Sequence, residues 1–298
     1  MIIKNYIEHP IKSIFLALRQ RNLTNWIPDS IYLKMMYRLS FGKKLNLKNP
    51  QTYNEKLQWL KLNDRRPEYI EMVDKYLAKK YIGEKIGDEY VIPILGVWDK
   101  FEDIDFEGLP NEFVLKCTHD SGGLVICRDK RHFDLNAARE KINRCLKRNY
   151  FFLGREWPYK KLKPRIIAEV YMKDSCESVL TDYKFFCFNG VPKIMYSSKD
   201  KASDPRTDFF DMNYNHINMK MRDPNADVLP LIPQNFELMK KISSLLSMGY
   251  PHLRVDFYEV NGKLYVGELT LYHCSGFAPI SPPEMALEMG SWINIGAT

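Results

Sequence analysis

The residues best suited to chemistry lie near the end of the chain, where residues 254–277 read RVDFYEVNGKLYVGELTLYHCSGF. An Asn-Gly pair between alternating apolar runs predicts a tight hairpin, here with strands Leu253–Val260 and Lys263–Leu269 around Asn261-Gly262. Side chains alternate along a strand, so Arg254, Asp256 and Tyr258 share one face. Pairing through the turn brings Asp256 close to Glu268. Two carboxylates so placed repel, and a divalent cation that prefers hard oxygen ligands, such as magnesium, removes that cost. Arg254 adds a planar donor fork for phosphate or carboxylate. The pattern reads as a phosphate–metal site. The competing reading is a hairpin with two solvated acids and an exposed arginine.

Three earlier stretches hold further candidates. Residues 113–126 run from a strand through Thr118-His-Asp-Ser121-Gly122-Gly123 into a second strand. The glycines let backbone N–H groups approach an anion, and Lys116, ending the first strand, reaches the same place. A Walker loop has a longer spacing, a Lys after the glycines and a following helix, so this is something else, a phosphate loop or a plain hairpin. Residues 164–172 form an apolar strand interrupted by Glu169, and a buried acid needs a partner, either an amine or a backbone N–H. Residues 182–196 form a second Asn-Gly hairpin with Asp182 and Lys184 on one face, where the lysine is either functional or simply solvated. His119 and His273 lie in the two motif loops. His119 reaches phosphate or is a polar loop residue; His273 acts as a base for an amine or is likewise only polar.

The elements around these residues are legible in outline. Residues 1 to about 90 read as helices: one from Asp29 after Pro28, one opened by the capping-box pattern Thr52-x-x-Glu55, and one from about Glu68 to Ile82 that contains Asp74-Lys75. Tyr90–Leu95 reads as a short strand ending at a glycine. Residues 134–148 form an amphipathic helix through Leu135, Ala138, Ile142 and Leu146. Trp157, Pro158 and Tyr159 either line a cleft or pack. Pro279, Pro282 and Pro283 make a stiff turn before a last helix near Glu284–Gly290.

Charge is uneven. Residues 1–50 hold nine Lys/Arg against two acids, which accounts for the whole net charge of +7. Ile7, Ile11, Ile14, Phe15 and Leu18 recur there at helical spacing with Lys12, Arg19 and Arg21 on other faces. Such a helix suits an anionic membrane surface or packs on its own domain with a solvated basic face. The balanced remainder, with no recognised motif, argues against nucleic acid. The six cysteines show no C-x-x-C pair, which fits reduced thiols in a cytoplasmic protein. No apolar run reaches the length of a membrane span, and a signal-peptide core and cleavage site are not seen.

Taken in order, strand–Lys–Gly-rich loop, strand with Glu, Asp-x-Lys strand and Arg-x-Asp…Glu hairpin, these stretches resemble the ATP-grasp superfamily of carboxylate–amine ligases. The wording is most similar to the TupA-like ATP-grasp family of teichuronopeptide and capsular polysaccharide biosynthesis, over roughly residues 29–280. Asn49–Lys61, Val73–Tyr76, Val91–Asp99, Asp182–Gly190 and Gly267–Thr270 carry that likeness too. The resemblance implies an α+β ATP-grasp fold: a helical, basic region at 1–90, a smaller subdomain with the Gly-rich loop at 91–172, and a larger subdomain with the metal site at 173–298.

It also implies roles. Lys116 would hold an α- or β-phosphate of ATP, and the loop Thr118–Gly123, with Ser121 and Gly122, would close over the phosphates. Glu169 would accept from the adenine amino group, with Val170, Tyr171 and Met172 as the hinge. Asp182 would hold the ribose or order its strand, Lys184 would face the phosphates, and Lys75 resembles an earlier ATP-grasp lysine. Arg254 would stabilise the transferring phosphoryl group, while Asp256 and Glu268 would hold Mg2+. Thr270 stands where many relatives place an Asn ligand, which puts its own role in doubt. Donors near Ser275-Gly276 would serve a tetrahedral intermediate. The implied substrates are ATP, a carboxylate-bearing sugar or polysaccharide precursor, and an amino acid or other amine, with peripheral membrane contact through the N-terminal segment. Helices stand where common relatives begin with a Rossmann-like domain, so the carboxylate site does not transfer. Two other classes remain: a glycosyltransferase, although neither an Asp-x-Asp site nor a Rossmann-like repeat is present, and a non-catalytic nucleotide- or polysaccharide-binding protein.

Overall fold

The computed structural model describes residues 10–175, 179–199 and 205–296. It is α+β: helices lead into two antiparallel sheets. The leading helices are α1 (Pro10–Gln20), α2 (Asp29–Phe41), α3 (Tyr53–Asn63), α4 (Glu68–Val73) and α5 (Leu77–Ile86). The expected capping box opens α3: Thr52 accepts from the Glu55 amide at 3.3 Å, and Glu55 accepts from the Thr52 amide at 3.0 Å, which satisfies two end N–H groups.

The single helix expected over Glu68–Ile82 is instead two. Asp74 takes an extended conformation between them, and its carboxylate accepts from the amides of Tyr76 at 2.9 Å and Leu77 at 3.0 Å. An Asp side chain competes with the helix in this way by capping a new start. The break leaves the Lys75 amide donating to the Thr118 carbonyl at 2.9 Å rather than within a helix.

The amphipathic first helix begins at Pro10, and Ile7 lies outside the described residues. Phe15 is buried with Tyr32, Leu33 and Met36 in a small separate core, but Ile11, Ile14 and Leu18 are exposed, as is Trp26 beyond the helix. Among the described residues no helix is long and apolar enough to cross a membrane.

The smaller sheet has the order β1-β4-β2-β3, from β1 (Ile94–Trp98), β2 (Phe113–Cys117), β3 (Leu124–Cys127) and β4 (Ile166–Val170). The strand expected over Tyr90–Leu95 and ending at a glycine begins instead at Ile94 and runs through Gly96 to Trp98, with an irregular step between Ile94 and Gly96. Helix α6 (Leu135–Leu146) covers one face, burying Ala138 and Ile142 against Phe113, Leu115 and Cys117. A short α7 (Phe151–Gly154) follows. Lys116 and Glu169 sit on the other face, since Val114 pairs with Glu169 and Lys116 with Ile167.

The larger sheet has the order β10-β9-β5-β6-β7-β8. Its strands are β5 (Thr181–Phe188), β6 (Val191–Lys199), β7 (Arg206–Asp211), β8 (His216–Ile217), β9 (Leu253–Val260) and β10 (Lys263–Thr270). Both Asn-Gly hairpins form as expected, with positive φ at Asn189, Gly190, Asn261 and Gly262, the backbone a two-residue hairpin turn requires. Helix α8 (Phe236–Ser247) packs on the face carrying Phe185, Val255 and Phe257. The opposite face carries Lys184, Arg254 and Asp256, one residue out of step. The last helix, α9 (Pro283–Ser291), packs on α3. Trp157 and Tyr159 pack against the main core.

Candidate active site

The open faces of the two sheets and the break between α4 and α5 meet in one cavity of about 90 Å³. Its walls bring together Lys75, Lys116, Glu169, Lys184, Asp256 and Glu268, six residues singled out by sequence from five separate stretches. Lys79 joins them; sequence reading missed it, though it stands four residues after Lys75, one helical turn on.

On the small-sheet side Glu169 has its partner. Its Oε2 lies 2.6 Å from Lys116 Nζ and its Oε1 3.0 Å from Lys79 Nζ. Burial alone would raise this carboxyl, but the two ammonium groups outweigh it and hold it below the usual range. Lys79 is lowered by its own burial, against which Glu169 acts. Lys75 Nζ donates to the Asp120 carbonyl at 2.7 Å, which ties it to the Gly-rich loop.

That loop is braced from within. Gly122 N donates to Asp120 Oδ1 at 3.0 Å, Asp120 pairs with Arg148, and Tyr150 donates to Ser121 Oγ at 3.3 Å. Gly123 is needed for space, because a Cβ there would meet the Cys117 side chain at 2.7 Å. Ser121 and Gly122 are exposed, whereas Thr118 is buried with its hydroxyl unpaired. His119 does not face the cavity. Its Nε2 lies 3.2 Å from the Cys145 carbonyl and 3.1 Å from that of Arg148, under the loop. The hinge candidates Val170, Tyr171 and Met172 are half-buried, and the Val170 amide already donates to the Pro93 carbonyl at 3.2 Å.

On the large-sheet side Asp256 plays the matching part. Arg254 donates to it twice, Nε at 2.6 Å and Nη2 at 2.7 Å, and Lys184 Nζ stands 2.9 Å away. Burial would raise Asp256, and these two cations overcome it and keep the group below its ordinary value. Lys184 also pairs with Asp182 at 3.1 Å. Its burial would lower it, but Asp256 and then Asp182 hold it protonated well above the usual lysine range. Asp182 itself is raised by burial, with Lys184 opposing. Arg254 and Asp256 are 8% and 2% exposed, which rules out the solvated-hairpin reading.

Glu268 stands directly opposite Asp256, and Thr270 opposite Arg254. A bulge makes this so. Counting back from a two-residue turn, Val266 pairs with Phe257, and the next step would put Glu268 opposite Val255 on the core face. The register shifts between Val266 and Glu268, and one extra residue returns Glu268 to the Asp256 face. Gly267 is that residue, and a Cβ on it would meet the Tyr258 ring at 2.6 Å.

The donors here suit magnesium: two hard carboxylates and the Thr270 hydroxyl, buried without a partner, share one face. Among the described residues no group of three or more His, Cys, Asp or Glu is placed to hold a metal, so phosphate or water oxygens would complete any such site.

The loop after β10 is held by the helical region. Cys274 and Ser275 take φ of 47° and 53°, a left-handed conformation that costs non-glycine residues about 1–3 kcal/mol each. Lys61 Nζ binds the Ser275 and Gly154 carbonyls, both at 2.7 Å, and Gln58 binds the Gly276 carbonyl at 3.0 Å. Ser275 Oγ donates to Glu156. Burial lowers Lys61 to about 7 against the pull of Glu156, and burial raises Glu156. Sequence reading missed Lys61 and Glu156, since nothing in a capped helix announces a buried lysine. Next to them, Arg254 Nη1 bonds to His273 Nδ1. An arginine always donates, so His273 accepts there and carries its proton on Nε2. Burial, then Arg254, keep it neutral. It positions Arg254 and holds no spare lone pair with which to act as a base.

The family model described as TupA-like ATPgrasp matches residues 55–294. The chain belongs to the TupA-like ATP-grasp family. Its fold is therefore the ATP-grasp fold, used by ATP-dependent carboxylate–amine ligases. No curated protein matches this TupA-like chain. Solved structures similar to it include a D-alanine–D-alanine ligase from Bacillus anthracis, 19% identical, covering 67% of this chain and 57% of that one at a TM-score of 0.39. A second D-alanine–D-alanine ligase, from Helicobacter pylori, is 12% identical and covers 81% and 69% at 0.43. A D-cycloserine synthetase is 16% identical and covers 92% and 79% at 0.42. The chain thus spans less than two thirds of the Bacillus enzyme's length.

Proposed function

We propose that the protein is an ATP-dependent ligase that joins a carboxylate to an amine through an acyl phosphate. The carboxylate would be a uronic acid group of a cell-surface polysaccharide or its precursor, and the amine an amino acid or similar nucleophile. The observation that carries this reading is the single cavity where Lys75, Lys79, Lys116, Lys184, Asp256 and Glu268 converge between two sheets. Membership in an ATP-grasp family supports it. The same membership leaves a glycosyltransferase reading without support.

The chemistry follows from leaving groups. Oxide does not leave a carboxylate, so a carboxylate oxygen first attacks the γ-phosphorus of ATP and the bond to the β-phosphate oxygen breaks, releasing ADP. The amine nitrogen then bonds to the acyl carbon, the bond to phosphate breaks, and the amine gives up a proton. The first step is mainly positioning and charge neutralisation. Lys116 and Lys184 supply positive charge at the cavity wall, and Arg254, clamped by Asp256 and His273, holds a guanidinium that needs no reorganisation. Asp256, Glu268 and the Thr270 hydroxyl would hold magnesium, which when bound neutralises phosphate charge. Glu169 spends one lone pair of each oxygen on a lysine; a carboxylate has about four such sites, leaving room for the adenine amino group. The carbonyls of Val170–Met172 would provide the remaining hinge contacts. A cavity of about 90 Å³ is well below the roughly 300–1,000 Å³ of ligand pockets, so nucleotide entry requires the two sheets and the Thr118–Gly123 loop to part.

The test is ADP release from magnesium and ATP with a panel of uronic acids and amines, for wild type and Lys116→Ala. ADP formation that requires both an acid and an amine, and that the variant lacks, is the expected result. A protein that binds no nucleotide by calorimetry would sink the reading.

A further inference from the structure

A second cavity, of about 170 Å³, lies on the same face of the large sheet. The register connects it to the first. Lys184 pairs with Tyr196, and Asp182 with Ser198, on the neighbouring strand. Tyr196 in turn pairs with Phe209, and Ser198 with Thr207. Tyr196, Ser198 and Thr207 line the second cavity, together with His273, Cys274 and Arg222. Arg254 lines neither cavity but links their walls, its guanidinium gripping Asp256 on one side and His273 on the other. Asp256 lines the first cavity and His273 the second.

We propose that this cavity is the co-substrate pocket of the ligase, and that it takes a carboxylate-bearing sugar or amino acid. The inference rests on the ligase reading and adds where the second substrate sits and what recognises it. Placement comes from His273. A group bound in the second cavity stands against His273, which bonds to Arg254, the residue that grips Asp256 in the first cavity. Arg222 and Cys274 are exposed at the mouth of the second cavity.

Chemical class comes from the lining. Three hydroxyl-bearing side chains, Tyr196, Ser198 and Thr207, line the cavity with Phe209 and Met221, and Arg222 and Asp223 stand side by side in its wall, so a polar guest meets hydroxyls, one cation and one acid. Arg222 offers a planar donor fork that matches a carboxylate. Its Nε stands 3.8 Å from Asp223 with the arginine side chain 77% exposed. An ion pair that loose and exposed contributes little, so the guanidinium turns to a ligand at small cost. A bound amino acid would set its carboxylate on Arg222. A bound uronate would be the acid that becomes phosphorylated.

Cys274 allows binding to be read without turnover. It is the exposed thiol among the described cysteines, and it lines the pocket. The experiment measures the rate of Cys274 carbamidomethylation by iodoacetamide, mapped by peptide mass spectrometry on the full chain with magnesium and a non-hydrolysable ATP analogue. The probes are glucuronate, galacturonate, glutamate and alanine, with glucose and alaninamide as counterparts lacking the carboxylate. Protection of about tenfold is expected at ten times the dissociation constant of the carboxylate that fits. It should vanish in Arg222→Ala, return in part in Arg222→Lys, and be absent with glucose and alaninamide. Protection by the uronates assigns the pocket to the acid; protection by the amino acids assigns it to the nucleophile. No protection by any carboxylate while the nucleotide still binds would overturn the pocket and leave the ligase reading standing. Equal protection in Arg222→Ala, or by the uncharged counterparts, would overturn the carboxylate assignment. Failure of nucleotide binding, read separately by calorimetry, would instead strike the ligase reading.

Discussion

The two sheets present the same device to the cleft between them: one buried carboxylate gripped by two cations. On the small sheet it is Glu169 between Lys116 and Lys79. On the large sheet it is Asp256 between Arg254 and Lys184. They differ in what surrounds the grip. Lys116 keeps 22% of its side chain exposed, whereas Lys79 keeps 9%, Arg254 9% and Lys184 14%, so the difference lies in Lys116. Asp256 also has a second acid across from it and a neutral histidine fixing its arginine. Flexible lysines can follow a ligand as it enters, while a clamped guanidinium has fixed geometry. On the proposed reading, the small sheet would hold the nucleotide and the large sheet would stabilise charge as it develops.

Removing each carboxylate should separate the two. Asp256→Ala leaves Arg254 buried without its carboxylate and Lys184 with Asp182 alone, and should cost about 3–5 kcal/mol of stability in urea unfolding. The acid side of the pH–stability profile sharpens the contrast from another direction. Next to the Arg254 clamp, His252 is buried, bonded to Tyr53 and to the Leu271 carbonyl, and its burial lowers it from 6.5 to about 4. The unfolded chain then binds more protons than the folded one between those values. Stability is complete above pH ~6.5 and drains as pH falls toward 4, by about 3 kcal/mol from this residue. Thermal melts over that range should flatten in His252→Gln; an unchanged slope would contradict the assignment.

Glu169→Ala should cost less than Asp256→Ala, about 2 kcal/mol, because Lys116 can swing to water. Equal losses would mean that the two grips are energetically alike and that the comparison teaches nothing about function. The smallest change in stability comes from Gly267→Ala. Overpacking against the Tyr258 ring should cost about 1 kcal/mol, while ADP release falls on the order of a hundredfold as the bulge that aims Glu268 is disturbed. A variant with full turnover would remove Glu268 from the site.

Much of the site was legible because its residues lie on regular strands. Alternation alone placed Arg254 beside Asp256 and Asp182 beside Lys184, and the Asn-Gly turns fixed both hairpins. The partner of Glu169 could be foreseen only as a type, an amine or a backbone N–H. Which amines supplied it was not visible, since Lys79 and Lys116 lie 90 and 53 residues away in the chain. The expectation that Asp256 and Glu268 come together was met, but by a route that strict alternation does not provide. A straight ladder through Asn261-Gly262 would have sent Glu268 into the core. The histidines went the other way. Both stand in motif loops, yet His119 is spent on helix-end carbonyls and His273 on Arg254.

What the sequence determined by itself is whatever depends on neighbours along the chain: turn chemistry, the Thr52 cap, the period-two faces and the order of the motifs. What only the tertiary structure decided depends on which distant groups share a buried volume. The break at Asp74 that turns Lys75 to the loop, the bulge at Gly267, the lysine pair on Glu169 and the Lys61 brace under a strained loop all belong to this second kind. The reason is physical. A buried charge takes its partner from whatever the packed fold brings within about 3 Å, because leaving it unpaired costs more than any local preference can supply.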